Sequence, residues 1–244
     1  MIVVRAPGSA GLLPRALAAL GLVLLTGCQV KLDVDLTARP DGGGEVRAKL
    51  VLDKDATAAV PDLAQDLRLD DLEAAGWSIE GPSRQEDGET RVEASKSFTT
   101  PAGADRAVEE LSGPKGPFGD LRLRVDRSFL ETRTSVEGAV DLSTGVEGFS
   151  DDVLKQRLGS PLGVDVATVE RQLGKPLEEM LEVTVRARLP GEAPTVMSPK
   201  LGQRMELTAT ARRWNIERIA MAAVSVVSGV ALVVVLTRRL LSAR

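Results

Sequence analysis

The segment VKLDVDL, residues 30–36, alternates apolar and polar side chains without interruption. Successive side chains of a β-strand point to opposite faces, so this pattern predicts a strand with one buried and one solvated face. A Pro- and Gly-rich turn follows at residues 40–44, and the alternation resumes at Val46, Ala48, Leu50 and Leu52. The sequence therefore predicts a β-hairpin as the first element of a folded domain.

The remaining sequence predicts short helices among further strands. Residues 61–75, 101–111, 151–158 and 165–173 have helical spacing, and strands are predicted at 77–79, 90–98, 121–125, 131–142, 181–189 and 205–211. A Gly- and Pro-rich stretch, residues 113–119, is typical of a loop or of a join between two halves. We expect an α+β fold, an antiparallel sheet with packed short helices. One continuous sheet and two subdomains are both compatible with the pattern.

The N-terminal 27 residues have the organisation of a signal peptide. Arg5 and Arg15 supply positive charge before an apolar run at 16–25. The run ends in Leu25-Thr26-Gly27-Cys28, which matches the bacterial lipobox, and Cys28 is the only cysteine. Signals of this kind direct attachment of diacylglycerol to the cysteine and cleavage before it. We therefore predict a lipidated Cys28, whose acyl chains, such as palmitate, enter the bilayer. An ordinary signal with a chance cysteine, or an uncleaved anchor, is the alternative.

The C-terminal region predicts a transmembrane helix at residues 219–237, which are uncharged. At about 1.5 Å per residue this stretch spans about 28 Å, close to the thickness of the hydrocarbon core. We expect a basic juxtamembrane segment at 212–218 and a cytoplasmic tail at 238–244. The residues predicted to lie at the two membrane interfaces are Arg212, Arg213, Trp214, Arg238 and Arg239. The two flanks of the helix carry equal numbers of arginines, so charge alone does not predict the orientation of the helix. Export of residues 28–211 would place that domain outside and the tail in the cytoplasm.

Composition argues against several classes of function. The chain has no histidine, which removes the commonest general base and metal ligand, and a single cysteine cannot form an intrachain disulfide or a multi-thiolate zinc site. The net charge of -4 includes no basic excess that would indicate nucleic-acid binding. Asp33 and Asp35 share a strand face but have too few neighbouring ligands to predict a calcium site. We expect no catalytic residues, no cofactor and no metal.

Two further groups of residues have alternative interpretations. Trp77 and Phe98 are expected to fill the core, although they could also cap an apolar cavity. Lys31, Arg122 and Arg124 are expected on polar strand faces, either as ordinary solvated charge or in contact with lipid phosphates.

The chain resembles actinobacterial lipoproteins of the LppM type. The resemblance is carried by the lipobox, the opening hairpin, Gly76-Trp77 before the second hairpin, GPKGPF at 113–118, Leu189-Pro190-Gly191, and PKLG at 199–202 before Trp214 and the terminal helix. It implies an envelope-facing α/β domain, a fold reminiscent of lipid-binding proteins, and a role in handling envelope lipids or glycolipids. The family offers no sharp site motif, so no binding residue is carried over.

These observations together predict a non-enzymatic lipoprotein that binds or presents membrane lipid at the outer face of the cytoplasmic membrane. Acyl chains would lie in an apolar pocket between sheet and helices. The alternative is a structural or assembly protein that binds an envelope protein through its sheet. A deep apolar cavity would favour lipid, whereas a solid core with an exposed apolar patch would favour a protein partner.

Overall fold

Nine strands form two sheets in the part of the chain that the structure, a computed structural model, describes: residues 29–59, 69–113, 116–145 and 175–242. The six-stranded sheet has the order β3-β4-β2-β1-β7-β8, and the three-stranded sheet has the order β5-β6-β9. The strands are β1 Val30–Ala38, β2 Gly44–Leu52, β3 Ser78–Arg84, β4 Thr90–Phe98, β5 Arg122–Arg127, β6 Glu131–Asp141, β7 Leu181–Arg188, β8 Thr195–Met197 and β9 Arg204–Trp214.

Five helices lie in the same ranges: α1 Lys54–Ala59, α2 Leu69–Ala74, α3 Pro101–Ser112, α4 Leu177–Met180 and α5 Ile216–Ser242. The Thr100 side chain caps α3 by accepting a hydrogen bond from Gly103 N, and Pro101 suits the first helical turn. The predicted α+β class is confirmed. The predicted helices at 151–158 and 165–173, and most of the one at 61–75, lie outside the described residues.

The opening hairpin has the predicted strands, with Val30 opposite Leu52 and Ala38 opposite Gly44. Its neighbour on the other side differs from the expectation, because β1 pairs in parallel with β7, from Val30–Leu181 to Thr37–Arg188. The larger sheet is therefore mixed rather than antiparallel. Alternating polarity specifies which face of a strand is buried, but it contains no information on the direction of a partner about 150 residues away.

Ion pairs connect the two parallel strands on their polar face. Arg186 Nη1 lies 2.9 Å from Asp33 Oδ1, and Arg188 Nη2 lies 3.1 Å from Asp35 Oδ1. The carboxylates that raised the question of calcium are thus neutralised by arginines of the neighbouring strand. These pairs are partly exposed, so their contribution to stability is modest.

The larger of two hydrophobic clusters in the described residues contains side chains of both sheets. Val34 and Val46 of the larger sheet belong to the same buried cluster as Val136 and Leu207 of the smaller one. Trp77 and Phe98 are buried in this cluster, and Trp77 Nε1 donates a hydrogen bond to Glu110 Oε2 at 3.0 Å. Their interpretation as core residues is confirmed. Residues 113–119, which the sequence offered as a join between halves, connect two elements that share this core.

The end of the domain differs from the boundary predicted at residue 211. Strand β9 continues to Trp214, and Arg212, Arg213 and Trp214 pair with Arg133, Thr132 and Glu131 of β6. These residues belong to the sheet rather than to a separate juxtamembrane segment. Only Asn215 separates β9 from α5, which includes the predicted span 219–237 and extends through Arg238 and Arg239. Residues Ile216–Val233 are long and apolar enough to cross a membrane, and none of them is buried against the domain.

The carboxylate of Asp141, where β6 ends, provides a pH-dependent contribution to stability. Hydrogen bonds from the hydroxyl and backbone N–H of Ser143, and then from Arg204, lower the pKa of Asp141 below its usual 3.8. The ionised form therefore stabilises the folded state above the unfolded-state pKa, and this stabilisation is lost as the pH falls through the lower folded-state value.

Replacing Asp141→Asn should therefore reduce the free energy of unfolding at neutral pH and flatten its pH dependence below about pH 4. Urea unfolding of the full chain in detergent micelles, followed by tryptophan fluorescence from pH 2 to 7, measures both effects. Asp55→Asn, in the exposed part of α1, is the matched control and should leave the profile unchanged. A profile of Asp141→Asn that coincides with that of the unmodified chain would contradict this role.

Candidate membrane interface

Four large apolar side chains are exposed where the domain meets α5. Trp214 and Ile216 are 60% and 73% exposed, and Phe129 and Leu130, at the tip of the β5–β6 hairpin, are 57% and 51% exposed. Glu131 and Trp214 are direct partners in the β6–β9 ladder, which places the hairpin tip beside the start of the helix. We call Phe129, Leu130, Trp214 and Ile216 the junction patch. Apolar side chains concentrated at one place are unusual on a fully solvated surface.

Asn215 joins the hairpin tip to the first turn of α5. Its backbone N–H donates to Leu130 O at 2.8 Å, and its side-chain Nδ2 donates to Ser128 O at 3.0 Å. Its carbonyl accepts from Ile219 N at 3.0 Å, the first helical hydrogen bond. The tip therefore keeps a fixed position relative to the point at which the apolar helix begins.

The predicted interface residues are separated along the chain into two groups. Arg212, Arg213 and Trp214 lie together at the end of β9, next to the junction patch. Arg238 and Arg239 lie on α5, about 33 Å farther along the helix axis from Ile216 at 1.5 Å per residue. This distance is close to the thickness of a hydrocarbon core, so the two basic groups are spaced as the flanks of a membrane-spanning segment are.

Arginines differ in their partners between the two sheets. Arg47, Arg186 and Arg188 of the larger sheet form ion pairs with carboxylates of their own or neighbouring strands. In the described ranges, no carboxylate lies within ion-pair distance of four arginines of the smaller sheet: Arg124, Arg133, Arg212 and Arg213. The other two residues considered as contacts for lipid phosphate have carboxylate partners: Lys31 pairs with Glu182, and Arg122 pairs with Glu109. Of these four, Arg133, Arg212 and Arg213 lie near the junction patch, where the carboxylates of Asp126 and Glu131 also lie.

An open surface depression of about 360 Å³ lies beside the hairpin tip. It is lined by Asp126, Arg127, Ser128, Glu131 and Arg133. This is not the apolar pocket that the sequence led us to expect, because charged groups in its wall would be desolvated by an acyl chain. Between the sheets and α3, the described residues Trp77, Phe98 and Phe118 pack with the helix side chains Ala104 and Val108 in the core. The depression is suited to a polar ligand.

The hairpin tip and the depression were missed by sequence reasoning. A signal was present in Ser128-Phe129-Leu130, which joins two predicted strands without the Gly, Asn or Asp residues typical of a tight turn. Two consecutive large apolar residues in a connection are an exception to the usual polar loop and indicate a contact surface. The convergence of Arg133 with Arg127 depends on strand register, which the sequence alone does not specify.

The start of the domain lies far from the junction patch. The Arg127 side chain donates a hydrogen bond to Asp41 O, so the β1–β2 turn lies beside the end of β5. Val30 begins β1 at the opposite end of that strand, about 26 Å from the turn at 3.3 Å per residue. Gln29 is already fixed by a hydrogen bond from its backbone N–H to Asp53 Oδ2, at 2.6 Å. The lipobox residues Leu25, Thr26, Gly27 and Cys28 lie outside the described residues.

Comparisons with known proteins give one structural likeness. No protein-family model matches the chain, and no curated protein matches it. The fold is similar to the NMR structure of the folded domain of LppM from Mycobacterium tuberculosis, with a TM-score of 0.41 and 13% sequence identity, over 81% of this chain and 97% of that domain. This is a weak relationship at the level of fold.

The role of Asn215 in holding the β5–β6 hairpin tip beside the start of α5 can be tested with Asn215→Ala. The change removes the side-chain hydrogen bond to Ser128 O, a loss of about 1 kcal/mol. Amide hydrogen exchange at residues 128–131 should become faster, while exchange in β1 and β2 stays unchanged. Thr132→Val, which removes only the 3.4 Å contact of that hydroxyl with Asn215 Oδ1, is the control and should have a smaller effect. Equal exchange rates in Asn215→Ala and the unmodified chain would show that the tip is not held by this residue.

Proposed function

We propose that this chain is a non-enzymatic, membrane-anchored lipoprotein of the bacterial cell envelope that binds or presents lipid or glycolipid at the outer face of the cytoplasmic membrane. The observation that carries the proposal is the junction patch, which is exposed, apolar and next to a helix that is long and apolar enough over Ile216–Val233 to cross a membrane. An indole and aliphatic side chains beside arginines are typical of protein segments at the membrane–water interface. This arrangement supports a domain that rests directly on the bilayer.

Two anchors on one bilayer would determine how the domain lies. A lipidated Cys28 precedes Val30 by two residues and can extend only about 7 Å from it. Strand β1, in contrast, separates Val30 by about 26 Å from the turn that lies beside the β5 end. Both anchors therefore reach the same membrane only when β1 lies nearly parallel to its surface. In that orientation one side of the domain, rather than only its tip, faces lipid headgroups.

The described residues support handling of lipid through its headgroup. The depression beside the junction patch is lined by charged and hydroxyl-bearing side chains, and the core residues around Trp77 and Phe98 are packed against one another. Acyl chains would then remain in the bilayer while the domain contacts the polar part of the lipid. We accordingly prefer recognition or presentation at the surface to extraction of a whole lipid.

The alternative, a partner protein bound through a sheet edge, has less support from the larger sheet. Edge strand β3 contains Pro82, which has no N–H, and its pairing with β4 is irregular between Glu80 and Ser83. The opposite edge, β8, has only three residues. Both features are typical of edges that do not accept an additional strand.

The anchors can be separated by four variants. In the first, an ordinary secretory signal with a non-lipoprotein cleavage site replaces residues 1–28. In the second, the chain ends after Asn215. The third combines both changes, and the fourth is the unmodified chain. Each single variant should remain in the membrane fraction after a carbonate wash, and the double variant should be released. Release of the variant that ends after Asn215 would contradict lipid anchoring at Cys28. A Cys28→Ala variant that still incorporates labelled palmitate would also contradict it.

Lipid handling predicts a specific lipid composition around the purified protein. The full chain, isolated with its surrounding bilayer in a polymer nanodisc, should be enriched in one or a few headgroup classes relative to the whole membrane, as measured by mass spectrometry. A fusion of signal peptide and α5 alone, prepared in the same way, is the control for lipids that merely surround a helix. A composition equal to this control, together with a stoichiometric co-purified protein, would favour the partner alternative.

A further inference from the structure

We propose that the depression lined by Asp126, Arg127, Ser128, Glu131 and Arg133 is a binding site for the headgroup of a phospholipid, with Arg133 as the principal ligand of the phosphate. This inference rests on the proposed function, because it takes α5 to be embedded in a bilayer. It adds a ligand class, a phosphate with nearby hydroxyl or ammonium donors, and the residues that would bind it.

Arg133 lies close to Trp214, the aromatic side chain expected at the membrane interface. Arg133 is the direct partner of Arg212, two residues before Trp214, and therefore lies about 7 Å along β9 from the indole position. The headgroup layer occupies about 5–8 Å on each side of the hydrocarbon core. With the Trp214 indole in the headgroup layer, Arg133 lies within about 7 Å of that layer along the strand.

The guanidinium of Arg133 is incompletely satisfied in the structure. Its Nε is buried and has no hydrogen-bond partner, and in the described ranges no carboxylate lies within ion-pair distance of it. Asp126, its direct partner on β5, and Glu131 line the same depression without forming an ion pair with it. The terminal N–H groups of this guanidinium have no carboxylate partner in the described ranges, and they can donate two parallel hydrogen bonds to one phosphate.

The other residues of the depression complement the rest of a headgroup. The Arg127 side chain is anchored by its hydrogen bond to Asp41 O and adds a second positive charge at the wall. The carboxylates of Asp126 and Glu131 are acceptors, which suit hydroxyl or ammonium donors attached to the phosphate. Phe129, exposed at the adjoining tip, would contact the upper part of the acyl chains. The depression thus offers charge of both signs beside an apolar edge.

Binding can be measured on the full chain in non-ionic detergent micelles by native mass spectrometry. The probes are phosphatidylglycerol, with phosphate and hydroxyls; galactosyl diacylglycerol, with hydroxyls but no phosphate; phosphatidylcholine, with phosphate but no donors; and inorganic phosphate. Phosphatidylglycerol should bind most tightly. Arg133→Gln should weaken its binding about tenfold, which corresponds to the loss of one charge-assisted hydrogen bond. Arg133→Lys, which keeps the charge but not the planar fork, should retain part of the affinity.

Arg91→Gln is the matched control, because Arg91 has the other buried Nε without a partner but lies in β4 of the larger sheet. It should leave phosphatidylglycerol binding unchanged. An equal loss in Arg91→Gln and Arg133→Gln would overturn the site, as would equal binding of galactosyl diacylglycerol. Inorganic phosphate that binds as tightly as phosphatidylglycerol would show a site for free anions and would overturn the assignment to lipid.

The anchoring of the domain is tested separately by the same variants. Arg133→Gln leaves Cys28 and α5 unchanged, so it should remain in the membrane fraction. Arg133→Gln could be destabilised, which would show as a lower midpoint of thermal unfolding. In that case Arg133→Lys is compared with the unmodified chain instead. Unchanged lipid affinity in Arg133→Lys would overturn the role of the planar guanidinium. A membrane-bound Arg133→Gln protein with unaltered lipid affinity would overturn the headgroup site while the proposed anchoring stands.

Discussion

The continuity of β9 with α5 is the constraint on which the arrangement of this protein depends. One residue, Asn215, separates a strand of the core-forming sheet from a helix that is apolar over Ile216–Val233. Through its backbone and side chain, Asn215 also bonds to Leu130 O and Ser128 O of the neighbouring hairpin. There is consequently little freedom between domain and helix, and whatever fixes α5 also fixes the hairpin tip. A flexible linker would leave the orientation of the domain undetermined.

The hydrophobic cluster shared by the two sheets extends this constraint to the larger sheet. Val46 and Val136, from different sheets, are buried in one cluster, and Arg127 connects β5 to the β1–β2 turn through Asp41 O. Movement of the smaller sheet relative to the larger one would expose these apolar residues to water. The position of Val30, and with it the point at which an N-terminal anchor would attach, is therefore determined relative to α5. Two membrane anchors at these points would select one orientation of the domain instead of merely retaining it near the membrane.

Sequence reasoning succeeded where a local pattern decides the structure. The alternation at residues 30–36 predicted β1 and its buried face, and Leu121, Leu123 and Val125 indicated the start of the smaller sheet. It did not provide the parallel pairing of β1 with β7, because that contact depends on chain direction across about 150 residues. The depression could not be predicted from the sequence for the same reason, because Asp126 and Arg133 become neighbours only through the pairing register of β5 and β6. The boundary at residue 211 was wrong because Arg212 and Arg213 were interpreted by their charge, although strand pairing continues through them.

The free energies involved are small, and tethering makes them sufficient. Phe129 and Leu130 are about half exposed, so their transfer into an apolar environment contributes about 2 kcal/mol together. For a free protein this would give negligible membrane binding, comparable to less than one acyl chain. For a domain held at the surface by α5, the contact is intramolecular, and about 1.4 kcal/mol already changes the population of an orientation tenfold. If α5 spans a bilayer, contacts of this size at the hairpin tip would be sufficient to determine which surface of the domain faces the lipid, provided that Asn215 keeps the tip in register with the helix.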